Sequence, residues 1–256
     1  MKKILLISFV FSLSIVACKN EKHTINKDKS AAVEKTPPTA VNTSPSSATT
    51  SPVKLEPQGK YTHTVKIETS FGIIKVALYD ETPKHRDAFL KNVEEGFYND
   101  LLFHRVIKGF MIQGGDPMSR NAAAGQQLGM GSKNNPPQRI PYEFKPNLIH
   151  RKGALAAARD NNPEKASSDC QFYIVQGKQM SDAELDQVQL QNQMKYTPEQ
   201  RSALKTVGGT PFLDNAYTVF GEVIEGMEII DKIAAVQTAP GDRPITDVKM
   251  KMSKEK

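Results

Sequence analysis

Apolar and polar residues alternate in two successive runs, Val65, Ile67 and Thr69, then Ile74, Val76 and Leu78, with Ser70-Phe71-Gly72 between them. Successive side chains of a strand point to opposite faces, so the two runs predict a strand pair with one apolar face. Thr82-Pro83 then opens a helix, with Thr as N-cap and Pro at the first helical position. Phe89, Leu90, Val93 and Phe97 space its apolar face, and Gly96 stands near its end. Further strands are predicted at 154–158, 171–175, 217–223 and near 245–250, with a helix over 227–236. Residues 117–152 are rich in Gly, Asn and Pro and read as loops. Several strands, few helices and long connections predict a mainly β domain over 61–253, closed into a barrel with peripheral helices.

One run stands out, from Phe103 to Asp116. It reads as two short strands joined by a Lys108-Gly109 turn. Arg105 has Phe103 and Ile107 two places to either side, and Gln113 shares its strand face with Met111. Such a run presents a fixed donor beside an apolar surface. Alternatively its arginine pairs with a buried carboxylate or reaches out to water. His104, beside Phe103, reads as a hydrogen-bonded structural histidine. No Cys, His or carboxylate stands at metal-ligand spacing, so no metal is expected. Gly129-Met130-Gly131 lacks the third glycine of a nucleotide fingerprint, and no Gly-x-Ser-x-Gly elbow occurs. With no nucleophile-plus-base constellation, the expected chemistry has no covalent intermediate, or there is none.

Residues 177–209 read as a helical insertion. Ser181-Asp182-Ala183-Glu184 and Thr197-Pro198-Glu199-Gln200 are both capping boxes. Leu185, Val188 and Leu190 mark the first helix and Leu204 the second, which Gly208-Gly209 stops. The insertion is either a partner-binding or lid element or a surface elaboration.

Charge sharpens the domain plan. The chain has 256 residues and a net charge of +6, but the excess of lysine lies before Tyr61. Beyond it acids and bases nearly balance, so no nucleic-acid partner is expected. Lys2 and Lys3 precede an apolar stretch from Ile4 to Ala17, the length of a signal-peptide core. Ala17-Cys18 resembles a bacterial lipobox, with Cys18 lipidated after cleavage; the other reading is an ordinary signal peptide. Residues 1–18 are thus expected to be a lipoprotein signal, and 19–60, rich in Lys, Ser, Thr, Pro and Asn, a disordered linker. The protein is expected in a bacterial cell envelope, lipid-anchored to the membrane, on the periplasmic side or at the outer membrane. Cys170 is then the one remaining cysteine and reads as a small core residue.

The segment Phe103-His104-Arg105-Val106-Ile107, with Gly109-Phe110-Met111-Ile112-Gln113-Gly114-Gly115-Asp116, resembles the signature of the cyclophilins, the peptidyl-prolyl cis–trans isomerases. Residues 153–159 and 170–174, Pro211-Phe212-Leu213-Asp214 and Val219-Phe220-Gly221 are similar to further family segments, so the resemblance spans roughly 61–250. It implies an eight-stranded antiparallel barrel capped by two helices, with 177–209 outside the usual plan. It implies an isomerase without cofactor that acts on proline-containing polypeptides, here exported ones. The alternative is a non-catalytic, membrane-tethered peptide-binding or chaperone module.

Residue by residue, the resemblance makes Arg105 the catalytic arginine. Phe110, Met111, Tyr173 and Leu213 match the proline pocket, and Gln113 the glutamine that bonds the substrate backbone. Ala158, Arg159 and Gln171 match the edge that holds residues around the proline, with His104 at the rim. Three positions depart from the common pattern. Tyr173 stands where many members have Phe, Tyr217 where many have His, and Phe212 where cyclosporin-sensitive members have Trp. Phe212 and Tyr217 are also substrate-binding candidates.

Overall fold

A computed structural model describes residues 56–255. The readings for 1–18 and for most of 19–60, Cys18 included, lie outside the described residues. The predicted strand pair is β1 (Tyr61–Thr69) and β2 (Gly72–Tyr79). It sets Val65 opposite Val76 and Ile67 opposite Ile74, all four fully buried. The helix α1 (Pro83–Glu94) begins at proline as expected. Thr82 does not cap it, because its backbone lies outside the cap conformation and its hydroxyl is buried without a partner among the described residues. The carboxylate of Glu143 does so instead, accepting from the backbone N–H of Lys84 and His85 at 3.2 and 3.0 Å. A negative charge there complements the helix dipole.

Along the chain follow β3 (Phe103–Ile107), β4 (Met111–Gly114), β5 (Arg139–Ile140), β6 (Ala154–Ala157), β7 (Ser167–Ser168) and β8 (Phe172–Val175). Then come α2 (Asp182–Asn192), α3 (Pro198–Thr206), β9 (Val219–Glu225), α4 (Met227–Ala234) and β10 (Met250–Lys254). Eight strands form one antiparallel sheet in the order β10-β1-β2-β9-β6-β8-β4-β3, while β5 and β7 pair separately.

The sheet is an open half-barrel, not the closed barrel expected. Its edge strands β3 and β10 share no ladder. The segment before β10, expected as a strand near 245–250, crosses β3 as a loop. Val106 N–H donates to Asp242 O at 2.8 Å and Phe103 N–H to Val248 O at 2.9 Å. Asp242 has φ +64° and Pro244 has no N–H to donate, so this segment cannot continue as a regular strand.

Alternation sorts side chains onto two faces of the sheet. Ile112, Leu155, Ala157, Phe172 and Ile174 point into the main core, which also takes Phe89, Leu90 and Val93 of α1 and Ile229, Ile230 and Ile233 of α4. Their neighbours Met111, Ala154, Ala156, Tyr173 and Val175 point the other way into a second cluster, with Phe110, Leu213 and Tyr217 packed against it. Burial of each large apolar side chain stabilises the fold by roughly 1.5–3 kcal/mol.

Residues 177–209 form the two helices expected. Ser181 and Glu184 reciprocate as a capping box on α2, and Thr197 and Gln200 do so on α3. Leu185, Val188 and Leu204 are buried in a third cluster with Ile149, Met180 and Tyr196. Leu190 is not part of it and is 82 % exposed, because five positions from Leu185 a helix has turned off that face. Among the described residues no helix is long and apolar enough to cross a membrane.

Candidate active site

The site begins at an irregularity in β3. Phe103 pairs with Gly114, but Arg105 pairs with Gln113, so β3 carries one extra residue at His104. Without this bulge, period two would put Arg105 on the core face with Phe103. With it, Phe103 and Val106 stay in the core, while Arg105 emerges opposite Gln113. The alternation alone gave no sign of this.

Arg105 meets a partner from far along the chain. Its Nε–H donates to Asp242 Oδ2 at 3.2 Å, and both side chains remain about two-fifths exposed. Among the described residues its two terminal NH₂ groups donate no hydrogen bond. Gln113 Nε2–H donates to Gln171 Oε1 at 3.1 Å. Gln171 in turn donates to the carbonyls of Gly129 and Gly131 at 3.0 and 2.8 Å. His104, Arg105, Gln113, Arg159, Asp242 and the loops 124–129 and 239–247 line a cavity of about 840 Å³.

His104 is only 3 % exposed and neither ring nitrogen has a partner among the described residues, so it lies beneath the rim on which the resemblance placed it. Nor is it the hydrogen-bonded histidine expected. Burial lowers its pKa to about 4, more than the Asp116 charge can offset. The ring is therefore neutral at pH 7. Burial likewise pushes the Cys170 thiol up to about 12, as suits a packing residue.

The apolar candidates gather beside this cavity, on the face shared by Met111 and Gln113. Phe110 stacks on Phe212 with ring centroids 5.7 Å apart, and Tyr173 meets Tyr217 edge-on at 5.9 Å. Leu213 packs in the same cluster. The guanidinium of Arg159 lies 4.7 Å from the Tyr217 ring centroid and donates to Ala216 O. Ala158 and Gln171 form the adjoining edge through Ala158 N–H to Gln171 O at 2.9 Å. The structure thus brings together all the sequence candidates within 104–217. Asp242 is an addition that no sequence signal marked.

The family model of cyclophilin type peptidyl-prolyl cis-trans isomerase matches residues 64–255. The chain belongs to the cyclophilin family. Among its relatives, this cyclophilin is 32 % identical to the Arabidopsis thaliana peptidyl-prolyl cis-trans isomerase CYP18-1 over 187 residues, 73 % of this chain and 91 % of that one. A Staphylococcus saprophyticus relative named for the same activity is 33 % identical over 186 residues, covering 73 % and 85 % of the two chains. The crystal structure of a Cryptosporidium parvum cyclophilin type isomerase shares the fold, with a TM-score of 0.56 and 24 % identity over 77 % of this chain and 99 % of that one. The cyclophilin is accordingly a peptidyl-prolyl cis-trans isomerase.

Proposed function

We propose that Arg105 is the catalytic donor of this isomerase and that its substrates are Xaa-Pro bonds of exported polypeptides. One observation carries the assignment of Arg105. Among the described residues its terminal NH₂ groups are uncommitted, and Arg105 pairs with Gln113, whose other strand neighbour is Tyr173 of the apolar wall.

The chemistry suits those groups. Resonance holds an Xaa-Pro bond planar behind a barrier of about 20 kcal/mol. In the twisted transition state resonance is lost and the proline nitrogen becomes a hydrogen-bond acceptor. A guanidinium aimed at that nitrogen stabilises the twisted state more than either planar state. Phe110, Met111, Tyr173, Phe212, Leu213 and Tyr217 would grip the proline ring. Gln113 would hold the peptide backbone, with Ala158, Arg159 and Gln171 along the neighbouring residues. One side of the bond is then fixed while the other rotates, with no proton transfer and no cofactor. A solved structure of the Cryptosporidium parvum protein in the presence of the dipeptide Ala-Pro supports a proline ligand for this groove. Arg105→Ala should lower kcat/KM more than about tenfold, or roughly 1.4 kcal/mol, with its circular dichroism unchanged. Wild-type turnover in that variant would end this role for Arg105.

The site for the work follows from the N-terminal sequence. Cys18 is proposed to be lipidated, tethering the domain through 19–60 to a bacterial envelope membrane, and nucleic acid is not a partner. The support is the apolar stretch that ends at Ala17-Cys18 and the near balance of charge from Tyr61 onward. Mass spectrometry of the mature N-terminus tests it. A diacylglycerol adduct on Cys18 is expected, and an unmodified Cys18 in the mature protein would refute it.

A further inference from the structure

A chain of buried polar groups joins the inserted helices to the apolar wall of the site. Tyr196, between α2 and α3, donates its hydroxyl to Asp214 Oδ2 at 2.7 Å. The other oxygen of Asp214 accepts from His150 twice, from its backbone N–H at 2.8 Å and from Nδ1–H at 2.5 Å. His150 Nε2 lies 2.9 Å from the hydroxyl of Tyr173. All four side chains are buried.

The donors and acceptors fix the direction of the chain. A carboxylate oxygen accepts, so His150 donates through Nδ1–H, and in a neutral imidazole Nε2 is then an acceptor. The Tyr173 hydroxyl must then donate to Nε2. Burial, followed by the nearby Asp214 charge, raises the Tyr196 phenol well above its usual range and keeps it a donor. The Tyr173 hydroxyl, extra to the common family pattern, therefore points away from the pocket into this chain. Its ring is held in place, stacked on His150 at 14° between planes.

The insertion also grips the other wall. Tyr196 O–H lies 3.2 Å from Pro211 O, and Asn192 Nδ2–H donates to the same carbonyl at 3.0 Å. Pro211–Leu213 is the short 3-10 turn that carries Phe212 and Leu213. A mere surface elaboration would pack on its own small core and leave no buried hydrogen bonds to the site. We propose that the inserted helices set the shape of the proline pocket, with Tyr196 as a positioning residue that acts through Asp214 and His150 on Tyr173. The proposal rests on the reading of the Tyr173–Leu213 cluster as the proline pocket.

A double-mutant cycle tests it by NMR exchange on an Xaa-Pro peptide, giving KM and kcat separately. Tyr196→Phe keeps the ring and removes the hydroxyl that bonds Asp214 and Pro211 O. It should raise KM about threefold or more with kcat within about twofold. In a Tyr173→Phe background the same change should raise KM clearly less, because the chain through His150 is already cut and only the Pro211 contact is lost. Equal KM increases in both backgrounds would overturn the proposal. So would a Tyr196→Phe variant with a lower Tm and unchanged KM, which marks a purely structural brace. Should Tyr196→Phe fail to fold, the ring ¹⁵N resonances of His150 in the wild type decide. Saturating peptide should shift them, and unmoved resonances would overturn the link. A wild type with no exchange at all would instead refute the reading of the site itself, and this proposal with it.

Discussion

Arg105 and Asp242 stand 137 positions apart in sequence and meet at 3.2 Å through one guanidinium N–H. Asp242 is held there by the backbone, because its own carbonyl accepts from Val106 N–H one residue along β3. The pair leaves the terminal fork of Arg105 without a hydrogen bond among the described residues. At this exposure such an ion pair is worth only about 0–1 kcal/mol of stability. Asp242→Ala should thus shift Tm by little while lowering kcat/KM about two- to fivefold. Arg105→Lys should be far worse, since an ammonium cannot bond Asp242 and present a rigid fork together. Peptide turnover measured beside thermal melts checks both. A large Tm loss with unchanged turnover would contradict the positioning role.

Phe212 is 48 % exposed and rests on Phe110. It supplies an apolar face but not the N–H donor of a tryptophan. Cyclosporin should therefore inhibit the wild type weakly, and Phe212→Trp should tighten inhibition at least about tenfold, or roughly 1.4 kcal/mol. Equal inhibition constants for the two forms would show that this position does not set sensitivity.

His104 makes stability depend on pH. Its folded pKa, about 4, lies below the usual value of 6.5. Between those values the unfolded chain binds the proton more readily than the folded one, so stability rises with pH across that window. The contribution is complete above about pH 6.5 and is lost as pH falls toward about 4, by up to ~3 kcal/mol. NMR titration of the His104 ring should find it neutral at pH 5.5. A charged ring at that pH would contradict the burial argument.

Arg151 and Glu222 form a buried pair, with two guanidinium N–H groups on Glu222 Oε2 at 3.2 and 2.7 Å. The other oxygen accepts from Gln58 N–H, which ties the segment before β1 to β9. Glu222→Ala strands the buried guanidinium and should cost about 3–5 kcal/mol in urea unfolding. A loss under about 1 kcal/mol would mean that water reaches Arg151.

Signals carried by a few adjacent residues were legible in the sequence. The capping boxes at Ser181 and Thr197 and the alternation of β1 and β2 involve neighbours only, and they fold as read. The pocket candidates lay close together on the run through Arg105 and Gln113 or came through family likeness. Features that depend on distant partners were not legible. The bulge at His104 has no periodic signature, since it is a break in period. No motif contains Asp242, and its φ of +64° is visible only in the fold. Glu143, about sixty positions away, caps α1 in place of Thr82 because the fold sets its carboxylate on the free N–H groups. The open sheet has the same origin, since what lies against β3 is decided by the loop before β10.

The most direct test of the account is two-dimensional NMR exchange on an Xaa-Pro peptide with the wild-type domain at catalytic concentration. Uncatalysed exchange takes tens of seconds or longer and gives no cross-peaks on the NMR mixing timescale. Cross-peaks between the cis and trans forms are predicted with the wild type, and their near disappearance with Arg105→Ala. Equally strong cross-peaks with Arg105→Ala, or none with the wild type, would contradict it.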